Sequence, residues 1–327
     1  MAIKMDLSPL RPDPLLLLAA LALDGLIGDP IYRLHPIRLL GATLTRIENA
    51  LRALRLDGYI GGGLLFGVLA LLGVGEISGA VLYMEQVYSG LSWVFHLYIL
   101  YSLIALRDLL KHGLAIDRAA HADDLEGARL AASMLVGRDT SRMDLAACRR
   151  AGMESLSENA VDGFVSPLFF YALLGLPGLM LFKVISTMDS MVGNKSPRYL
   201  RFGWCGARLD DLFNWLPARL SYLLMAFVAL LLPGCSARKA LAVGWHQHAL
   251  VPGPNSGWSE AATAGAIQRR LVGPIWQNGE LVTEVWLGDA DDPAGGQSGD
   301  IGRTCIFVTA TCLLFSAMIL LYIVAFA

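Results

Sequence analysis

The sequence contains little charge for its size. Only 17% of its 327 residues are charged, whereas 55% are hydrophobic, and the mean hydropathy is +0.53. A soluble domain carries about a quarter charged residues, so this composition indicates a polytopic membrane protein. The formal net charge of −2 gives no reason to expect a nucleic acid as partner.

Several familiar motifs are also missing. The five cysteines show no CxxC spacing, so neither a disulfide framework nor a zinc site is expected. The chain lacks GxxxxGK followed by Ser or Thr, which excludes a Walker-type phosphate loop. No internal repeat is visible, and this argues against a transporter built from two related halves.

What the chain does contain is a series of long apolar runs. Runs at 60–84 and 86–106 predict a hairpin of two membrane helices, and 304–327 predicts a C-terminal membrane helix. The run at 14–23 is short for a span and predicts a retained, partly inserted first helix. The predicted fold class is therefore all-α: a polytopic integral membrane protein with about four to six membrane segments, and with hydrophilic helical loops.

One apolar run, at 163–182, is interrupted by Gly-Leu-Pro-Gly at 175–178. Pro and Gly together break a helix, and the basic flank at 183–219 favours the cytoplasmic side. We therefore predict a re-entrant hairpin here, with 220–237 also failing to cross. The predicted organisation is one membrane domain (1–327) containing a helical insert (107–162), a core (137–219), a second hydrophilic region (238–303) and the last helix (304–327).

Charged residues flank the interrupted run. Glu154, Glu158 and Asp162 fall at i, i+4 and i+8, so on a helix they would line one face and repel one another. A cation would relieve that repulsion, and oxygen ligands suit Mg²⁺; the alternative is a solvated acidic face balanced by nearby arginines. Asp211 follows Arg208 by one helical turn, which is equally consistent with a local ion pair.

Long stretches of this region carry a family resemblance. They are GRDTSRMD, ESLSENAVDGFVSPLFF, KVISTMDSMVGNKSPRYLRFGW and ARLDDLFNWLPARL, with LDGLIGDPIYRLHPIRLLG upstream and PNSGWSEAATAGA downstream. In this order they resemble adenosylcobinamide-phosphate synthase, the membrane-bound CobD/CbiB family of cobalamin biosynthesis. The resemblance covers most of the chain.

The resemblance implies an ATP-dependent amide ligase. It would join adenosylcobyric acid to (R)-1-aminopropan-2-ol phosphate, or to aminopropanol, and give adenosylcobinamide phosphate, with ATP and Mg²⁺ as cofactors. The expected setting is the lipid bilayer of the inner membrane, with a cytoplasmic active site and other membrane enzymes of nucleotide-loop assembly as partners. The alternative is an AmpE-like membrane sensor on the same scaffold, although a sensor predicts an incomplete set of charged residues.

Within this resemblance we predict roles for individual residues. The predicted metal ligands are Glu154, Glu158, Asp162, Asp189 and Asp211. The residues predicted to hold phosphates or corrin carboxylates are Arg138, Lys183, Lys195, Arg198, Arg208, Asn214 and Asn255. The candidate catalytic groups are Glu158, Asp210 and His35. The tryptophans predicted either to line a corrin site or to anchor the membrane interface are Trp204, Trp215 and Trp258.

Overall fold

The computed structural model describes residues 6–30, 32–277 and 280–326, and these are mostly helical. The helices are α1 (Pro14–Ile27), α2 (Pro36–Ala53), α3 (Tyr59–Val87), α4 (Ser89–Ser102), α5 (Leu106–His121), α6 (Leu125–Ser133), α7 (Leu145–Ala160), α8 (Ser166–Val192), α9 (Trp204–Phe213), α10 (Trp215–Leu231), α11 (Ala237–Gln247), α12 (Ser256–Ile267) and α13 (Asp300–Phe326). Short strands form two antiparallel pairs, β1 (Leu271–Val272) with β4 (Trp286–Leu287) and β2 (Ile275–Gln277) with β3 (Glu280–Thr283).

Four helical stretches in the described part of the chain are long and apolar enough to cross a membrane. They are Tyr59–Val87, Ser89–His121, Leu145–Val192 and Asp300–Phe326. A fifth is obtained if α9 and α10, which meet at a bend of 41°, count as one broken span. The predicted fold class, an all-α polytopic membrane protein, is confirmed.

The N-terminal helices follow the sequence pattern closely. Helix α3 packs against α4, as expected for the predicted hairpin. Helix α1 has only 14 residues, fewer than the roughly 20 that span a bilayer. Pro14 starts α1 and the Asp13 side chain caps it by accepting the Leu16 N–H, an arrangement that satisfies one of the free amides of the first turn.

The predicted interruption of the apolar run lies at Gly175. This residue has φ 65° and ψ −153° inside α8, a conformation that glycine adopts without steric cost. A Cβ at this position would collide with the backbone of Leu10 and Arg11, so the close approach of that segment also requires glycine. Helix α8 kinks here and continues to Val192; the re-entrant path remains a prediction.

The chain forms two compact units, which are described separately. The first comprises Met1–Ala105, Ser166–Phe213 and Ser316–Ala327. A buried cluster in this unit brings together apolar side chains of α2, α3 and α8 with one residue of the loop before α9, and these are Leu40, Leu44, Leu65, Leu69, Val184, Met188, Val192 and Phe202. Burial of such a cluster stabilises this unit through the hydrophobic effect.

The second unit comprises Leu106–Val165 and Asn214–Phe315. Its innermost helix is α12, which is buried at every position from Gly257 to Ile267. Small residues allow this close packing, since a Cβ on Gly265 would collide with the backbone of Lys239 in α11. Because α12 is buried along its length, any charged residue it carries is placed in the interior.

Candidate active site

Helix α7 carries the first two predicted acids. It begins after Asp144, whose side chain accepts the Ala147 N–H and caps the helix. Ten of its 16 residues are buried, Glu154 among them, so the helix projects acid into the interior rather than into solvent. The alternative of a solvated acidic face does not describe Glu154.

The third predicted acid is placed differently. Helix α7 ends at Ala160 and a π-helical turn, Val161–Val165, follows and contains Asp162. Asp162 therefore continues the helix one turn beyond Glu158, within a different type of helical turn. Its role as a metal ligand stays a prediction.

Glu154 and Glu158 meet a third carboxyl group, Glu260 of α12, in the lining of a cavity of about 250 Å³. Arg138 lies in the same lining. All four residues belong to the second unit. The cavity therefore combines three acids with one guanidinium, and Glu260 was missing from the predicted site.

Glu154 is held by both of its oxygens. Oε2 accepts a hydrogen bond from Arg138 at 2.6 Å, and Oε1 accepts the backbone N–H of Val272 at 3.1 Å. Val272 has φ 68°, a rare conformation for a β-branched residue. This conformation costs energy and persists only where the surrounding structure imposes it. The strand pair β1–β4 thus presents a strained amide to a buried carboxylate, a feature that the sequence alone did not indicate.

Glu260 experiences the opposite environment. Burial, followed by the negative charges of Glu158 and Glu154, holds the pKa of Glu260 well above its usual range. The raised pKa favours the protonated form of this carboxyl group, which can donate a hydrogen bond.

Arg138 has donor capacity left over. Its Nη2 is used by Glu154, but its Nε is buried and has no hydrogen-bond partner among the described residues. A buried donor without a partner costs roughly 1–3 kcal/mol. Arg138 therefore retains a guanidinium N–H able to bind an anionic oxygen, such as that of a phosphate or carboxylate.

The predicted five-acid metal site is not assembled in advance. Within residues 6–30, 32–277 and 280–326, no group of three or more His, Cys, Asp or Glu side chains is placed to hold a metal ion. Asp189 and Asp211 belong to the first unit, whereas Glu154, Glu158 and Asp162 belong to the second. The role of these five acids as metal ligands stays a prediction.

The predicted bases of the first unit have partners of their own. Arg198 bonds Glu48 at 3.0 Å, and Arg208 bonds Asp211 at 3.2 Å, which is the local pair that the spacing allowed. Lys195 is exposed and Lys183 half-buried. Their roles as phosphate ligands remain predictions.

His35 caps the N-terminus of helix α2. As the residue before α2, it accepts the Ile37 N–H at Nδ1 over 3.3 Å, so the ring proton lies on Nε2, which is 2.9 Å from an Asp29 oxygen. Asp210, the other proposed proton acceptor outside the cavity, is half-buried in α9. Of the three candidate catalytic groups, only Glu158 lies in the acidic cavity.

The remaining predicted residues divide between burial and exposure. Asn214 is buried, and Asn255 accepts a hydrogen bond from Arg219 at 3.1 Å. Trp258 is buried and stacks on His248 at 3.7 Å, which does not fit an interface anchor. Trp204 and Trp215 are about half exposed, at 50% and 52%, which fits either interpretation.

Comparison with known proteins places these features in a family. The family model described as CobD/Cbib protein matches residues 17–308. Cobalamin biosynthesis protein CbiB of Salmonella typhi is 37% identical over 292 residues, covering 87% of this chain and 89% of that protein. Cobalamin biosynthesis protein CobD of Klebsiella pneumoniae subsp. pneumoniae is 40% identical over 275 residues, covering 82% of this chain and 85% of that protein.

No solved structure matches the chain. The family match extends across 17–308 and includes all four residues of the acidic cavity. The alignments cover more than four-fifths of this chain and more than four-fifths of each relative. The chain therefore belongs to the CobD/CbiB family.

Proposed function

We propose that the chain is a membrane-bound ligase of cobalamin biosynthesis. It joins adenosylcobyric acid to (R)-1-aminopropan-2-ol phosphate and releases adenosylcobinamide phosphate, or joins it to aminopropanol and releases adenosylcobinamide, while ATP is converted to ADP and phosphate. Family membership supports the pathway. The observation that carries the ligase chemistry is the cavity that Glu154, Glu158 and Glu260 line together with Arg138.

Amide formation from a carboxylate needs an activated acyl group, because a carboxylate is a poor electrophile. Phosphorylation of the carboxylate by ATP supplies a phosphate leaving group, which departs when the amine attacks and the C–N bond forms. Arg138 suits the anionic oxygens that appear in both steps, since its Nε donor is unpartnered and buried. The salt bridge to Glu154 fixes the orientation of the guanidinium.

The attacking amine must also lose a proton. Glu158 lines the cavity and is half-buried, so it is the proposed acceptor. Glu260, whose pKa is raised by burial and by its acidic neighbours, is the proposed donor that hydrogen-bonds a developing oxyanion. This division of roles follows from the different environments of the two carboxyl groups.

A divalent cation fits this cavity in a limited way. Both oxygens of Glu154 are already used and Glu260 is the proposed donor, which leaves Glu158 as the carboxylate that would hold the ion. Mg²⁺ commonly takes one or two protein carboxylates and completes its shell with water and phosphate oxygens. When bound, it would screen phosphate charge.

The test is a direct assay in detergent. Purified protein is incubated with adenosylcobyric acid, aminopropanol phosphate, Mg²⁺ and ATP, and the amide is sought by mass spectrometry, with ATP omitted in a parallel sample. Product that requires ATP supports the proposal. A protein that binds the corrinoid but forms no amide would contradict it and favour the sensor role.

The proposal extends to the setting of the enzyme. We place it in the inner membrane with the acidic cavity open to the cytoplasm, because the basic residues of the hydrophilic stretches favour that side. Other membrane enzymes of nucleotide-loop assembly are the proposed partners. Cysteine labelling at positions 142 and 198 from each side of the membrane tests this orientation.

A further inference from the structure

A serine, a histidine and an aspartate meet in the second unit, away from the acidic cavity. Ser298 lies in the loop before α13, and its hydroxyl oxygen is 2.8 Å from Nε2 of His121. His121 is the last residue of α5, one helical turn after Asp117. The lining of the acidic cavity includes none of these three described residues. Their order of contact is that of a nucleophile, a base and a residue that orients the base.

Helix α5 fixes the tautomer of the neutral His121 ring. Its Nδ1 lies 2.7 Å from the backbone carbonyl oxygen of Asp117, and a carbonyl oxygen only accepts hydrogen bonds. Nδ1 therefore carries the proton, and Nε2 presents its lone pair. The Ser298 hydroxyl is then the donor of the 2.8 Å hydrogen bond, so its proton is directed at a base.

The side chain of Asp117 also supports the imidazole. Its Oδ1 lies 3.4 Å from Nδ1 of His121, and the same oxygen accepts a hydrogen bond from Nε of Arg149 at 2.9 Å. Arg149 is buried and holds the carboxylate in place. When His121 takes up a proton, this carboxylate lies beside the positive charge and stabilises it. Because Arg149 shares the carboxylate, we expect a weaker support than an unpaired aspartate would give.

The loop that carries Ser298 is anchored on both sides. The Gln297 N–H donates to Oδ2 of Asp300 at 2.9 Å, and the Asp300 side chain is buried. A Cβ on Gly296 would collide with the backbone of Ala146, so this loop packs closely against α7. Ser298 is itself exposed, which leaves its hydroxyl accessible from a positioned turn.

The start of α13 adds a favourable electrostatic environment. Ser298 lies two residues before Asp300, the first residue of that helix. The first amides of a helix have no acceptor within it, and a helix N-terminus favours negative charge. An oxyanion that forms next to Ser298 would be stabilised at this position.

We propose that Ser298 is a nucleophile that cleaves small carboxylic esters. Its Oγ attacks the ester carbonyl carbon and forms a new C–O bond, while its proton passes to Nε2 of His121. The bond to the alcohol then breaks, and His121 returns the proton to the departing oxygen. Water that gives a proton to the same nitrogen attacks the acyl-serine, which releases the carboxylic acid and restores Ser298.

The first test uses the wild-type full chain in detergent, so it does not depend on the folding of a variant. The protein is treated with p-nitrophenyl acetate, and peptide mass spectrometry follows the acetylation of individual serines. Ser133 is the internal reference, an exposed serine of the same unit whose hydroxyl donates to a backbone carbonyl. We expect Ser298 to be acetylated about a hundredfold faster, the lower end of the roughly 10²–10⁴ that a positioned base contributes.

Variants then assign the roles. Ser298→Ala should remove most of the p-nitrophenol release, and His121→Gln should lower it about a hundredfold. Ser133→Ala and His246→Gln change exposed residues of the same unit and should leave the release unchanged. Ser298→Ala should also form the amide at the wild-type rate, which separates this activity from the proposed ligase.

Two results would overturn the proposal. Equal acetylation of Ser298 and Ser133 in the wild type would show that His121 does not activate the hydroxyl. Unchanged p-nitrophenol release in Ser298→Ala would place the ester cleavage on another residue.

Discussion

Two clusters of charge, one in each unit, use similar residues in opposite ways. In the first unit Glu48 forms salt bridges with two cations, Arg52 at 2.8 Å and Arg198 at 3.0 Å. In the second unit Arg138 forms a salt bridge with Glu154 at 2.6 Å, while Glu158 and Glu260 line the same cavity. One cluster therefore has an excess of cations around an acid, and the other has an excess of acids around a cation.

The two clusters shift the pKa of a buried carboxyl group in opposite directions. Burial acts to raise the pKa of Glu48, but hydrogen bonds from Arg52 and Arg198 outweigh it and hold that pKa below its usual range. For Glu260, burial and the neighbouring acids act together and raise the pKa. We call the Glu48 cluster matched, because cations neutralise its buried acid, and the acidic cavity mismatched, because its acids outnumber its cation. The matched cluster stabilises the fold, whereas the mismatched cluster contains unfavourable interactions that a substrate or cation can relieve.

The largest expected effect of breaking the mismatched cluster is on turnover. Glu158→Gln removes the proposed proton acceptor and should lower amide formation about a thousandfold, because positioned bases contribute roughly 10²–10⁴. The thermal midpoint should change little, since Gln is isosteric. The matched control is Glu126→Gln, an acid of the same unit that is 85% exposed; near-normal turnover in Glu158→Gln would remove Glu158 from the mechanism.

The next largest effect concerns stability. Arg138→Ala leaves Oε2 of Glu154 buried without its cation and should cost about 3 kcal/mol in the free energy of unfolding. Arg138→Lys keeps the charge but loses the guanidinium fork, so an intermediate loss is expected. Denaturant unfolding in detergent measures both, and equal stability of the Ala variant and the wild type would show that the pair contributes nothing.

A smaller, pH-dependent effect is expected at Glu260. Its folded-state pKa is raised above the ordinary value of 4.5, so the folded state binds this proton more tightly than the unfolded state. Wild-type stability should therefore fall as pH rises from 4.5 towards the raised pKa. Glu260→Gln stays neutral, so its thermal midpoint should rise relative to that of the wild type as pH increases. A constant difference between the two thermal midpoints across that range would contradict the shifted pKa.

The smallest effect is expected in the matched cluster. The Arg198 side chain is 58% exposed, and Glu48 keeps Arg52 when Arg198 is removed. Arg198→Ala should therefore leave the thermal midpoint unchanged within error, because exposed ion pairs contribute little. Arg52→Ala is the informative comparison and should lower the thermal midpoint more, since the Arg52 side chain also lies over the Phe202 ring at 4.6 Å. A larger decrease of the thermal midpoint in Arg198→Ala than in Arg52→Ala would contradict this expectation.

Several parts of the architecture follow from local sequence. The apolar runs predicted the α3–α4 hairpin and the last helix, because the hydrophobic effect acts on runs of neighbouring residues. Gly-Leu-Pro-Gly at 175–178 predicted the kink at Gly175. The placement of Glu154 and Glu158 on one helix also followed from the sequence, whereas the π turn at Val161–Val165 did not.

The composition of the site depended on contacts between distant segments. Glu260 was visible as the one acid in the small-residue run SEAATAGA, but its role depends on α12 packing against α7. The Val272 amide that binds Glu154 is 118 residues away along the chain. The Glu48 partner of Arg198 is 150 residues away.

By itself, the sequence determined the membrane class, the helices and the set of charged groups available for chemistry. The tertiary structure decided which charges meet: Arg198 is neutralised by Glu48, while Glu260 is buried beside Glu158. The physical reason lies in the range of the interactions. Helix formation and hydrophobic burial are encoded in neighbouring residues, but a pKa depends on distances and desolvation that exist only after remote segments have packed together.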